Sequence, residues 1–294
     1  MSAPVRLADQ APAKVNLTLR VLARRQDGYH ELESLVVFAD FGDHLSFAPG
    51  GDLALTVRGP SAAAAGGGDD NLVHKAARAL AARCAGLMLG GFDLEKRLPV
   101  AAGLGGGSSD AAAALRLLAE ANAIAPDHPD LYAAAHSTGA DVPVCLDPRP
   151  RIMRGIGEKL SGPFPLPPLP AVLVNPGVAL PTRAVFAGWK PLPAAMALID
   201  EALLAGLRGP RDLVQLVAEQ ANDLEPAAIA LQPSIADVLA ALRALPGCTL
   251  ARMSGSGATC FGLFGKLDEA VAAEQALSAQ QPTWWVKATI FGGS

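Results

Sequence analysis

Residues 98–115 of this 294-residue chain read LPVAAGLGGGSSDAAAAL. Four glycines (Gly103, Gly105, Gly106, Gly107) are followed by two hydroxyls (Ser108, Ser109) and then by strongly helical Ala/Leu sequence. Glycine lets the backbone approach a ligand closely and adopt positive φ. A helix opening at a serine cap adds unpaired N–H groups and the positive end of its dipole, a combination that binds phosphate. No lysine follows the glycines, so this is not a Walker A loop. Nor is it a good dinucleotide fingerprint: Ser108 stands where the last glycine belongs, Pro99 interrupts the approach, and Glu120 comes too soon for the acidic partner. A plain glycine-rich turn ahead of a core helix remains the alternative. Asp110, in the first helical turn, suits the dipole but repels a polyphosphate at close range. It is therefore expected to point away from the ligand or toward a metal.

Two further patches carry candidate chemistry. Residues 12–17, PAKVNL, put Lys14 at the mouth of the first strand and Asn16 two residues on, hence on the same face. Residues 253–262, MSGSGATCFG, form a second small-residue loop leading into a strand.

The elements that must position these patches alternate. Period-two alternation predicts a strand over 15–22, short strands at 34–38 and 44–47, and another at 53–58. Residues 61–70 (SAAAAGGGDD) read as a loop without chemistry. Helices are expected over 71–85, 108–125 and 130–137, with strands at 91–98 and 142–146. The proline-rich run 163–170 is the best interior boundary, giving lobes at 1–162 and 163–294. Beyond it come a strand at 171–175, several amphipathic helices between 194 and 245, a strand at 260–264, a helix from 268 and a final strand at 284–290. This is a mixed α+β pattern.

Composition narrows the partners. Charged residues make up 18%, hydrophobic residues 51%, and the formal net charge is −4. So apolar a chain is not intrinsically disordered, and without a basic run it is a poor ligand for nucleic acid or an anionic membrane. The longest charge-free apolar stretch, 163–182, is interrupted by seven prolines and cannot run as one spanning helix. Residues 1–16 show no apolar h-region, and the four widely spaced cysteines read as reduced thiols, so a cytoplasmic protein is expected.

PxKxN, PxxxGLGxxSS and SGSGxT, in this order, resemble the three motifs of the GHMP small-molecule kinases. RQDGYHEL (25–32), DDNLVHKAA (69–77), KRLPVAAGLGGGSSDAA (96–112) and TGADVPVC (138–145) narrow the resemblance to the branch whose acceptor is a cytidyl diphosphate of a branched polyol. The resemblance implies a two-lobed α+β fold, with an N-terminal ATP-binding and catalytic lobe like ribosomal protein S5 domain 2 and a ferredoxin-like, substrate-binding C-terminal lobe. It implies phosphoryl transfer from ATP, with Mg2+ whose ligands no motif specifies.

By the same resemblance Asp141 is the base for the acceptor hydroxyl and Lys14 the cation that keeps it ionised. Pro99, Val100, Ala101, Ala102, Gly103, Leu104, Gly105, Gly106, Gly107, Ser108 and Ser109 wrap the ATP phosphates, with Asn71 and Lys96 near adenine. Tyr29, His30 and Phe186 hold the cytosine, and Asn16 hydrogen-bonds near the polyol. Read without its flanking motifs, Asp141 is a turn or helix-cap aspartate, and Lys14 a solvated lysine. Within the group a homoserine- or mevalonate-type kinase is the alternative. Outside it, the alternative is a non-catalytic nucleotide sensor.

Overall fold

A computed structural model describes residues 6–191 and 198–292. In chain order run β1 (Leu7–Asn16), β2 (Arg20–Arg24), β3 (His30–Pro49), β4 (Ala54–Arg58), α1 (Ala62–Ala65), α2 (Leu72–Ala81), β5 (Gly90–Glu95), α3 (Gly106–Ala121), α4 (Pro129–Thr138) and α5 (Val142–Leu146). There follow β6 (Arg151–Gly155), β7 (Lys159–Leu160), β8 (Leu169–Asn175), α6 (Thr182–Gly188), α7 (Glu201–Ala205), α8 (Pro210–Ala218), α9 (Glu225–Leu231), α10 (Ser234–Ala244), β9 (Cys248–Met253), β10 (Cys260–Phe264), α11 (Leu267–Gln280) and β11 (Trp285–Phe291). The described residues form two compact units, each gathered from several stretches: 6–13, 42–100 and 105–148 in the first, 14–41, 101–104, 149–191 and 198–292 in the second.

In the first unit β4 and β5 pair in parallel, joined by the crossover through α2, and β5 pairs antiparallel with the last residues of β3. Phe47 and Phe92, cross-strand partners, stack at 4.6 Å between centroids. Helices α2, α3, α4 and α5 pack on one another. Residues 109–115 of α3 are all buried, so the helix is enclosed on every side and alanine is the side chain that such crowding admits. Arg116 locks this packing by donating to the Cys145 and Gln10 carbonyls and to Asp9.

In the second unit β9, β10, β8 and β11 form an antiparallel sheet in the order β11-β8-β10-β9. Counted from β8, that is strand order 4-1-3-2 with α10 and α11 packed on it, the ferredoxin-like arrangement expected. Val172, Val174, Val238, Leu242, Met253 and Leu277 fill the core. The first half of β3 pairs with β2 and β6, and Phe291 of β11 pairs with Ala39.

Several local expectations are corrected. Residues 142–146 are helix α5, not a strand. A five-residue apolar run is ambiguous by pattern, and Pro143 is at ease in a helix's first turn. Helix α3 begins at Gly106, because Gly105 takes a left-handed cap (φ 59°), and no serine side chain caps it. The two short strands expected at 34–38 and 44–47 are one, β3, and 15–22 is split between β1 and β2. Residues 62–65 are a short helix within the expected loop. Strand β9 had no signal of its own. The start of the helical region expected from 194 lies outside the described residues.

A tight crossing in the first unit sits at Gly42, where a Cβ would lie 2.1 Å from the Ala11 carbonyl oxygen. Gly42→Ala is expected to destabilise the protein by about 1–3 kcal/mol, the range for overpacking, measured by urea denaturation; an unchanged midpoint would contradict this crossing.

Candidate active site

In the second unit, the end of β1, residues 101–104 and the β9–β10 loop are knitted by backbone and hydroxyl groups. The Lys14 N–H donates to Leu104 O at 2.9 Å, and Thr259 N to Ala102 O at 3.0 Å. The Asn16 N–H donates to Ser254 Oγ (3.1 Å), which donates to Gly103 O (2.9 Å). Gly103 must be glycine: its φ is +76°, and a Cβ would stand 2.5 Å from Ser254 O. Asn222 Nδ2 donates to the Met253 and Gly255 carbonyls, holding the far side of the loop. Asn16 is 1% exposed; its Nδ2 donates to Ser34 Oγ, whereas its Oδ1 is buried with no hydrogen-bond partner. A buried acceptor without a donor calls for a partner that the protein itself does not supply. Lys14 is likewise buried.

The same unit brings His30 and Phe186 together, ring centroids 4.9 Å apart and tilted by 30°. Trp189, which the sequence did not single out, stands edge-on to His30 at 5.5 Å. Burial, with help from Arg24, pushes the His30 pKa below its ordinary value, so the ring is neutral at pH 7 with one donor and one acceptor. Tyr29 is 59% exposed, beside this pair in sequence. Helix α6, which carries Phe186, is tied by a Thr182–Ser256 hydroxyl contact (2.9 Å) to the β9–β10 loop.

In the first unit, the N–H groups of Gly106, Gly107 and Ser108 precede the first intrahelical bond of α3, from Ser109 N to Gly105 O. The Ser109 hydroxyl is committed to Pro12 O at 2.6 Å. Asn71 caps α2, accepting from Val73 N and donating to Gly66 O. Lys96 is 3% exposed, its ammonium between Asp43 and Asp110, the latter at 2.7 Å. Asp110 thus turns onto Lys96; its role was left open by the sequence, and Asp43 carried no signal there at all. Asp141 sits half-buried at the N-cap position of α5, whose last turn Arg116 holds. Among the described residues no group of three or more His, Cys, Asp or Glu side chains gathers to hold a metal, and no helix is long and apolar enough to cross a membrane.

Residues 71–147 match the model of the GHMP kinases N terminal domain, and residues 201–283 that of the GHMP kinases C terminal. A 4-diphosphocytidyl-2-C-methyl-D-erythritol kinase of Methylobacterium radiotolerans is 57% identical over 292 residues, covering 96% of this chain and 98% of that one. The chain belongs to this kinase family. Its counterpart in Xanthobacter autotrophicus is 55% identical, with 96% and 97% covered. A crystal structure of a 4-(cytidine 5'-diphospho)-2C-methyl-D-erythritol kinase superposes with a TM-score of 0.78 at 39% identity, covering 98% of this chain and all of the other. A homoserine kinase from Cytophaga hutchinsonii (TM-score 0.72, 18% identity) shares the fold alone. As a GHMP kinase, the chain is an enzyme that phosphorylates a small molecule with ATP.

Burial raises the Asp110 pKa to about 8; Lys96 opposes the rise and Asp43 adds to it. Burial also works against the Lys96 charge, but the two carboxylates outweigh it and raise its pKa. One ammonium does not neutralise two buried carboxylates, so Asp110 keeps its proton at neutral pH. Folding therefore takes up a proton at Asp110 between its unfolded value of about 3.9 and about 8. Its contribution to stability is full below that window, falls through it, and is lost above about pH 8. Asp110→Asn, which cannot ionise, is expected to flatten the fall in Tm between pH 6 and 9; parallel Tm–pH curves for variant and wild type would contradict the assignment.

Proposed function

We propose that this chain transfers the γ-phosphoryl group of ATP to the 2-hydroxyl of 4-diphosphocytidyl-2-C-methyl-D-erythritol, giving the 2-phosphate and ADP, in non-mevalonate isoprenoid precursor biosynthesis in the cytoplasm. The observation that carries the choice of substrate is the His30–Phe186 pair. Two rings from segments 156 positions apart meet, and the imidazole is neutral at pH 7. A neutral imidazole offers a donor and an acceptor, the complement of the amino group and ring nitrogen on the cytosine edge. Tyr29 adds an exposed stacking face, and Asn16 Oδ1 accepts from a polyol hydroxyl.

The loop 99–109 wraps the phosphates. The N–H groups of Gly106, Gly107 and Ser108 and the dipole of α3 meet their charge, which suits a chain of net charge −4 without a basic surface. Asn71 stands toward adenine, with Lys96 serving the nucleotide from behind the loop. Asp141 takes the proton of the attacking hydroxyl and Lys14 supplies positive charge to the reacting oxygens. With Ser109 committed to Pro12 and Asp110 to Lys96, Ser108 is the hydroxyl at the start of α3 left to meet Mg2+. When bound, Mg2+ would supply positive charge against the phosphates. The family models fall on either side of the proline-rich run, in keeping with a catalytic lobe at 1–162 and a substrate lobe at 163–294, whereas the compact units group 14–41, 101–104 and 149–162 with the C-terminal half.

An ADP-release assay across a panel of alcohols tests the reading. Turnover with the cytidyl substrate alone is expected; rapid turnover of homoserine or mevalonate, with none of the cytidyl compound, would overturn it. Asp141→Asn is expected to lower kcat by about 10²–10⁴-fold, the usual worth of a general base, with ATP affinity nearly unchanged. Near-normal turnover would remove Asp141 from the chemistry.

A further inference from the structure

Asp43 has no exposed surface, and its carboxylate gathers donors from three consecutive residues: the Lys96 ammonium, the Arg97 N–H (2.5 Å) and the Leu98 N–H (2.8 Å). The need is topological. The ladder between β3 and β5 ends at the pair His44–Glu95. Past that point the Lys96 N–H still donates to Arg58 O of β4 (2.8 Å), but the Arg97 and Leu98 N–H groups have left the ladder. Leu98 is buried, and an unpaired buried N–H is costly. Asp43, one residue before the last rung on β3, supplies the missing acceptor.

Lys96 carries the constraint to the other end of the loop. Its ammonium also reaches Asp110, one turn into α3. A Cβ on Gly106 would lie 3.4 Å from that ammonium and 3.7 Å from Asp43 Oδ2, so the first residue of α3 rests directly on the pair. Residues 99–105 thus leave from a strand end fixed by Asp43 and return to a helix start fixed against Lys96 and Asp43. The aim of the N–H groups of Gly106, Gly107 and Ser108 follows from those two anchors.

We propose that Asp43 is a positioning residue for ATP, acting through Lys96 and through the backbone of Arg97 and Leu98. This rests on the reading of 99–109 as the phosphate loop. In Asp43→Asn the amide still offers one oxygen to the backbone but no longer a charge to Lys96, which is left to Asp110 alone. The helix start then loses the charged partner that holds the Lys96 ammonium against it. A shift of about 1 Å in a positioning group can cost around 10²-fold, and a partial release is expected to weaken ATP use by less.

The test compares the intact enzyme and Asp43→Asn by steady-state kinetics in both substrates and by amide hydrogen exchange across 99–109 with and without ATP. The expected result is a rise of about tenfold in KM for ATP, consistent with that partial release. KM for the cytidyl substrate stays within about twofold, and ATP-dependent protection of the loop is lost. An unchanged KM for ATP, or an equal rise in both KM values, would overturn the proposal, because a merely structural defect does not separate the two. Should Asp43→Asn fail to fold, the charge-free pair Asp43→Leu with Lys96→Met takes its place, since buried ion pairs are often replaceable by apolar ones. The same split is expected, and failure of both variants to fold would assign the cluster to the fold alone. Absence of ATP protection over 99–109 in the wild type would instead sink the reading of the loop.

Discussion

A single ammonium, that of Lys96, buried between Asp43 and Asp110, ties the end of β5, the middle of β3 and the first turns of α3 into one cluster. Such a cluster adds little net stability, because removing a charged pair and a further carboxyl group from water offsets most of their attraction. Its worth is geometric. Two carboxylates around one ammonium leave a proton on Asp110, which makes the cluster neutral and tolerable in a dry interior. The glycine-rich loop begins and ends on this cluster, so the direction of the helix start is set from within the first unit.

The second unit reaches a similar end with neutral groups. Ser254 links the Asn16 backbone to the Gly103 carbonyl, Asn222 holds the opposite side of the same loop, and glycines at 103 and 255 allow backbones to touch. In that network most groups are satisfied, and Asn16 Oδ1 stands out as an acceptor without a donor. Small residues here are structural necessities. The crowding that forbids a Cβ on Gly103 also leaves backbone, rather than side chains, lining the loop.

Much of this was legible in the sequence, for physical reasons that differ by element. The loop 98–115 was readable because few residue types permit positive φ and close approach. PAKVN was singled out by resemblance, and Lys14, which on its own reads as a solvated lysine, is buried. The ferredoxin-like lobe followed from resemblance, and its 4-1-3-2 order bears that out. What escaped depends on distant partners. Asp43 lies in a polar stretch that looks like a turn between two strands; it is buried only because Lys96, Arg97 and Leu98 need its oxygens. Trp189 gains meaning from His30, 159 positions away. Residues 142–146 pack as a helix because α3 and α4 enclose them, a fact absent from five apolar letters. The start of α3 moved two residues upstream because a left-handed glycine ends the loop without a side-chain cap.

Low charge, abundant glycine and a neutral imidazole suit the proposed catalyst, in which oriented backbone groups would meet the phosphates and aromatic rings the base. Its central claim concerns which oxygen receives the phosphoryl group. Phosphorus-31 NMR of the product formed from ATP and 4-diphosphocytidyl-2-C-methyl-D-erythritol reads this directly. The account predicts one new phosphomonoester signal, coupled to the carbons around the tertiary C2 centre, with the cytidyl diphosphate resonances retained. Release of inorganic phosphate alone, or a monoester on another hydroxyl, would contradict it.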